Sequence, residues 1–249
     1  MIRALIFLLA LLSGPLRAEE IVSGLSQSLV SINANFDGTA ILIYGAAVRE
    51  APPPDWPLLQ VIITVEGPAL PVVVRHKERV AGIWINRGAM AVPATPSFYA
   101  VMTTGDLGDI LNKDEDAHYK ISIPQEIGLV GASARDDVYL QALQRIRTTS
   151  GTYQLARNSV LLLQQSLFRT EVALPSNLIE GDYKVRIFLV RGGKVIDVQQ
   201  SQIKVSKDGI ERFLFNLAQD HPLAYGLLSL VMAGLAGWGA AELFRRMRF

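Results

Sequence analysis

From Pro222 to Ala241 the chain reads PLAYGLLSLVMAGLAGWGAA without a charge, and Arg245, Arg246 and Arg248 follow almost at once. Leu223–Ala241 is 19 residues, which as a helix covers roughly 28 Å, close to the roughly 30 Å of a bilayer's hydrocarbon core. Arginines packed against one end of a span mark its cytoplasmic side. The expected arrangement is a transmembrane helix over 222–244 and a cytoplasmic tail of 245–249, too short for a folded output domain. Ser229, Ala233, Gly237 and Ala241 recur every fourth residue inside the span. Small side chains in register let another helix approach closely, so this stripe is predicted to pack against an inner-membrane protein or a second copy. Tyr225 near the outer interface and Trp238 near the inner one, with Arg245, Arg246 and Arg248, are the expected membrane anchors.

The N-terminus agrees. Arg3, the apolar run Ala4–Leu12, the Ser-Gly-Pro break at residues 13–15 and Ala18 before Glu19 are laid out as a secretory signal peptide over 1–18. Nine apolar residues are too short to span. The predicted location is the inner (cell) membrane, single-pass, with a periplasmic N-terminal domain and a cytoplasmic C-terminus.

Setting both ends aside leaves about 200 residues, enough for one large domain or two smaller ones. Removing the five terminal arginines and Glu242 from 24 cations and 23 acids leaves 19 against 22, a net of −3. That balance gives no basic face for nucleic acid. Cysteine is absent, which excludes a lipoprotein anchor, a thiol nucleophile, a thiolate metal site and covalent haem attachment, and leaves stability to the core alone.

The region between is patterned mainly for β structure. Residues 27–44 alternate on either side of Asp37-Gly38 and predict a hairpin. Leu58–Glu66, Pro71–Arg75, Val80–Asn86 and Phe98–Thr103 predict further strands, with Arg75–Arg79 as a charged turn. The acidic stretch Asp106–Asp116 predicts a loop, His118–Ile123 a strand, and Ala134–Thr148 a helix with Asp136 and Asp137 at its N-terminal dipole. Tyr153–Arg157, Val160–Gln164, Phe168–Leu174, Tyr183–Arg191 and Val195–Val205 predict a second set of strands, with Gly192-Gly193 as a two-residue turn. Asp208-Gly209-Ile210-Glu211 resembles a capping box opening an amphipathic helix. The predicted fold is mainly β: two Ig-like antiparallel β-sandwich units (19–105 and 151–207), a helical insertion (106–150), a juxtamembrane amphipathic helix (208–221) and a C-terminal transmembrane helix.

Motifs for chemistry are sparse. His76, His118 and His221 fall in three separate contexts, whereas zinc needs converging ligands. Asn112-x-Asp114-x-Asp116 has Ala117 and Ile123 where a calcium loop needs Gly and a bidentate acid. No Gly-x-Ser-x-Gly and no phosphate-binding glycine loop occurs. The reading is therefore a non-enzyme without cofactor or metal. Trp56, in a proline-rich loop, is the candidate ligand contact. Two functional classes remain, an accessory or scaffold protein for an inner-membrane partner and a periplasmic ligand- or cell-wall-binding module.

Ser31-Ile32-Asn33 through Phe36-Asp37-Gly38, the run Val74–Trp84 and Gly181-Asp182-Tyr183-Lys184-Val185 before the terminal span resemble an alphaproteobacterial single-pass transmembrane protein family of unknown function. The resemblance implies the topology above and supplies no catalytic residues. It also implies, as a partner, a sulfite-exporter-like permease in the same membrane.

Overall fold

A computed structural model of the chain describes residues 19–33, 36–50, 52, 54, 56–129, 131–207 and 210–247. The predicted signal peptide over 1–18, the Asp208-Gly209 opening of the predicted capping box and Arg248 lie outside the described residues. The chain is mainly β, with twelve described strands in several sheets. Its contacts divide it into two units, the first ending at Val205 and the second holding the C-terminal helices.

Strands β1 (Glu20–Leu25), β3 (Gly38–Val48), β10 (Leu167–Pro175) and β9 (Leu161–Leu163) form a four-stranded antiparallel sheet in that order. A six-stranded sheet runs β2 (Leu29–Ile32), β12 (Lys194–Lys207), β11 (Gly181–Arg191), β4 (Leu59–Glu66), β7 (Tyr99–Thr103) and β8 (Tyr153–Ala156). Its last pair, β7 with β8, is parallel. Segments 19–105 and 151–207 thus share both sheets: β3 pairs with β10, and β4 pairs with β11. Neither segment closes a sheet alone, because β3–β10 and β4–β11 join strands more than a hundred residues apart.

The predicted Asp37-Gly38 hairpin is corrected by this topology. β2 enters the six-stranded sheet and β3 the four-stranded one. Gly38 is needed for a different reason: a Cβ there would stand 2.8 Å from the Leu174 carbonyl oxygen of the paired strand. A glycine required for close approach looks the same in sequence as one required for a turn.

Central strands of the six-stranded sheet are buried on both faces: in β4 every residue from Val61 to Val65 is buried. One face, with Ile62, Tyr99, Val101, Phe188 and Val190, packs under a helical layer. That layer is α1 (Leu107–Ile110), α2 (Lys113–Tyr119) and α3 (Ile123–Glu126), with Ile110, Ile123 and, from the α2–α3 connection, Ile121 facing the sheet. The other face meets the four-stranded sheet, where β10 touches β7. Glu19 ties the two sheets: its carboxylate accepts from Arg191 at the end of β11 (2.6 Å) and from Arg49 just after β3 (3.4 Å).

Helix α2 replaces the strand predicted over His118–Ile123. The acids read as a loop, Asp114, Glu115 and Asp116, occupy its first turn, where the helix dipole favours negative charge. Asp116 also accepts from the Ser122 N–H (2.7 Å) and Glu115 from the Val195 N–H (3.1 Å). The acidic run is therefore spent on backbone hydrogen bonds.

Strands β5 (Ala69–Val80) and β6 (Ile83–Pro96) form a separate two-stranded ribbon. The predicted charged turn Arg75–Arg79 is part of β5. The reversal comes at Ala81-Gly82, both with positive φ (50° and 87°), as a two-residue hairpin turn demands. Gly192-Gly193, at φ 58° and 80°, makes the corresponding turn between β11 and β12, as expected. Helix α4 (Ala134–Thr149), also as expected, lays Leu140 and Leu143 on Val74 and Val92 at the base of the ribbon.

Candidate functional site

In the second unit, α5 (Ile210–Asp220) is followed by α6 (Pro222–Met247). Pro222 opens α6, where its missing N–H costs nothing. Pro222–Leu243, 22 residues, is long and apolar enough to cross a membrane, with none of its most apolar window buried. At 1.5 Å per residue it reaches roughly 33 Å, a full hydrocarbon thickness. A single charge at the centre of a span costs about 2.5–3.5 kcal/mol, and the first charged residue after Pro222 is Glu242.

Ser229, Ala233, Gly237 and Ala241 lie along α6 and all are exposed. Nothing stands within 4 Å of a Cβ built on Gly226, Gly234 or Gly237. The Ser229 hydroxyl donates to the Tyr225 carbonyl one turn back (2.9 Å), so it presents no unsatisfied donor to lipid. Tyr225 and Trp238 are exposed on the same helix. Arg245 is exposed and pairs with Glu242 one turn away. Arg246 belongs to α6.

Trp56 stands at the end of the proline loop with 78% of its surface exposed. The adjoining Pro57 carbonyl is held by Arg191 (2.7 Å). Trp56 does not line the apolar groove of the first unit. That groove, of about 680 Å³, lies on the outer face of the four-stranded sheet. Cross-strand register builds it from two rows: Val22, Ala46, Leu167 and Leu163, then Gly24, Tyr44, Arg169 and Leu161. Four strands at about 4.8 Å spacing make it roughly 14 Å wide. Tyr44 lies over Gly24, where a Cβ would stand 2.9 Å from the end of its ring and push that exposed side chain aside. Arg169 is the one charged residue among its described lining. Sequence reasoning missed this face, although Leu161-Leu162-Leu163 and Thr39–Tyr44 carry apolar residues on both sides of their strands. A strand with one buried face and no polar alternation must show apolar surface on the other.

A second feature missed in the sequence is a polar knot between the six-stranded sheet and α2–α3. Arg186 donates to the carbonyls of Tyr119 (2.8 Å) and Lys120 (3.3 Å) and lies 3.8 Å from the Glu126 carboxylate. The Tyr99 hydroxyl donates to the Ile121 carbonyl (2.9 Å). Burial, then the charge of Glu66, pushes the Glu126 carboxyl above its usual range despite Arg186. The ion pair is too long to offset the desolvation of a carboxylate, so burial dominates. Burial likewise raises the Tyr99 phenol, and pushes Tyr153, whose hydroxyl donates to the Pro96 carbonyl (2.9 Å), up to about 12. Shifted groups of this kind also mark active sites. Here Arg186 and Tyr99 aim their donors at the chain's own carbonyls, and the arrangement locks the helical layer onto the sheet. Among the described residues no three of His, Asp and Glu converge as a metal site requires.

A family model described as "Putative transmembrane protein (Alph_Pro_TM)" matches residues 20–246, from the start of β1 to the end of α6. No curated protein matches the chain.

Proposed function

Because this chain belongs to the Alph_Pro_TM transmembrane family, we propose that it is a membrane-anchored periplasmic accessory or scaffold protein. It assists an inner-membrane partner, such as a transporter or envelope complex, and performs no catalysis itself. The observation that carries this reading is α6, a helix of spanning length whose small-residue stripe stands uncovered. In lipid, helix association relies on close packing rather than on hydrophobic burial. A stripe of Ser229, Ala233, Gly237 and Ala241 is therefore the surface by which another protein's helix, or a second copy, is held. The arginines after the span put the C-terminus in the cytoplasm and the β-rich unit in the periplasm.

Gly237→Ile tests it. The bulky side chain blocks the approach at the centre of the stripe, where nothing stands within 4 Å of a Cβ built on Gly237. Partner proteins recovered with the tagged chain from detergent-solubilised membranes are expected to fall, with the thermal unfolding of the β-rich unit unchanged. Undiminished recovery overturns the scaffold reading.

The groove on the four-stranded sheet favours a second reading, a periplasmic binding module. An apolar trough with one arginine suits a ligand with an apolar body and a single acidic group. That reading predicts displacement of an environment-sensitive apolar dye by such a ligand, and it is indifferent to Gly237→Ile.

A further inference from the structure

We propose that the free end of the β5–β6 ribbon is a second membrane-contact site, which docks on anionic phospholipid headgroups. It rests on the chain being membrane-anchored and not on any protein partner. Helix α4 covers the ribbon only as far as Gly88, where the Tyr139 hydroxyl lies against the glycine, and Val74 and Val92 are buried beneath the same helix. Beyond that point, Lys77 to Arg87 is bare. About four residues per strand extend roughly 14 Å past the covered base, more than the roughly 5–10 Å that an interfacial segment sinks.

The bare end has two chemistries. Ile83 and Trp84 are 64% and 68% exposed, and Ile85 is exposed beside them. Three consecutive bulky apolar residues in water at the tip of a projecting ribbon mark a contact surface. Around them Lys77, Arg79 and Arg87 stand against one acid, Glu78, a net of +2 in a region from Glu19 to Pro222 that totals −3. Glu78 is itself matched by Arg87 (3.5 Å) and His76 (3.6 Å). Register sorts the residues by face. Arg79 pairs with Trp84 and Lys77 with Asn86 on one face, while Val80 pairs with Ile83 and Glu78 with Ile85 on the other.

Charges that protect a sheet edge from pairing would account for the lysine and arginines but not for Ile83-Trp84-Ile85 at the turn. A solvated ribbon would account for neither the tip nor the local excess of cations. An apolar tip with a tryptophan, collared by cations, is the composition that partitions to a bilayer interface and binds headgroup phosphates. Each Lys or Arg near an anionic surface favours the docked state by about fivefold.

The test uses the full chain in nanodiscs, with Trp56→Phe and Trp238→Phe leaving Trp84 as the reporter. In discs of phosphatidylcholine with phosphatidylglycerol, Trp84 emission is expected to shift to the blue and to be quenched by lipids brominated on the acyl chain. In discs of phosphatidylcholine alone, the shift and the quenching are expected to be lost. Lys77→Gln with Arg79→Gln should lower the docked-to-free ratio by about thirtyfold, with unchanged circular dichroism because both side chains are exposed. Emission that stays water-like in anionic discs overturns the proposal and leaves the tip as a protein-docking arm. Equal quenching in the zwitterionic discs overturns the headgroup recognition.

Discussion

Arg186 concentrates more of the fold's polar bookkeeping than any other described side chain. It reaches from β11 to two carbonyls at the end of α2 and faces Glu126, and its side chain is only 16% exposed. Arg186→Met keeps the length and removes every donor, so the Tyr119 carbonyl and the Glu126 carboxylate lose their Arg186 partner, while the Lys120 carbonyl keeps the Tyr99 hydroxyl (3.1 Å). The expected loss is about 3 kcal/mol in denaturant unfolding of the full chain in detergent. Glu126 gives a pH signature with a definite sign. Its pKa in the folded chain lies above the ordinary value near 4.5. The folded state therefore holds its proton to higher pH than the unfolded state, and stability falls as pH rises from about 4.5 toward the raised value. Glu126→Gln is expected to flatten that part of the stability–pH curve; an unchanged slope would assign the dependence to another group. None of this knot was legible in the sequence. Glu66, Tyr99, Glu126 and Arg186 are spread over more than a hundred positions, and only the pairing of β4 with β11 and β7, with α3 packed on that face, brings them together.

Elements whose signal is local were read well. The strands at 59–66, 99–103 and 181–191 follow from β-rich runs between Gly and Pro, and α4 follows from the acids Asp136 and Asp137 in its first turn. Ser133 accepts from the Asp136 N–H (3.3 Å) and donates to the Asp136 carboxylate (2.8 Å). Ser133→Ala should cost about 1 kcal/mol. Because α4 covers the base of the β5–β6 ribbon, hydrogen exchange should rise there together with α4; a rise in α4 alone would mean that the two are not coupled. Elements whose signal depends on a distant partner were misread. The Asp37-Gly38 dipeptide looked like a turn because close approach and reversal both select glycine. Arg75–Arg79 looked like a loop because solvated charges are as compatible with an exposed ribbon as with a turn. Asp114–Asp116 looked like a loop because acids in a first helical turn need the helix to be seen before they make sense.

At the scale of the whole molecule, sequence and structure agree on the class: a mainly β chain with one apolar helix of spanning length near its C-terminus, in a transmembrane family. Length, absence of charge and the flanking arginines are one-dimensional properties, so the span was legible without coordinates. The exchange of strands between the two β-rich segments was not, because pairing across a hundred residues leaves no mark in local periodicity. The groove was half-legible, in apolar residues on both faces of short strands. The scaffold reading and the ribbon's membrane contact both depend on α6 residing in a bilayer. Alkaline carbonate extraction of membranes carrying the intact chain tests that dependence most directly. The protein is predicted to remain wholly in the membrane pellet, and to leave it when a charge pair, Leu230→Arg with Leu235→Glu, is placed within the span. Release of the unaltered chain into the carbonate supernatant would contradict the account.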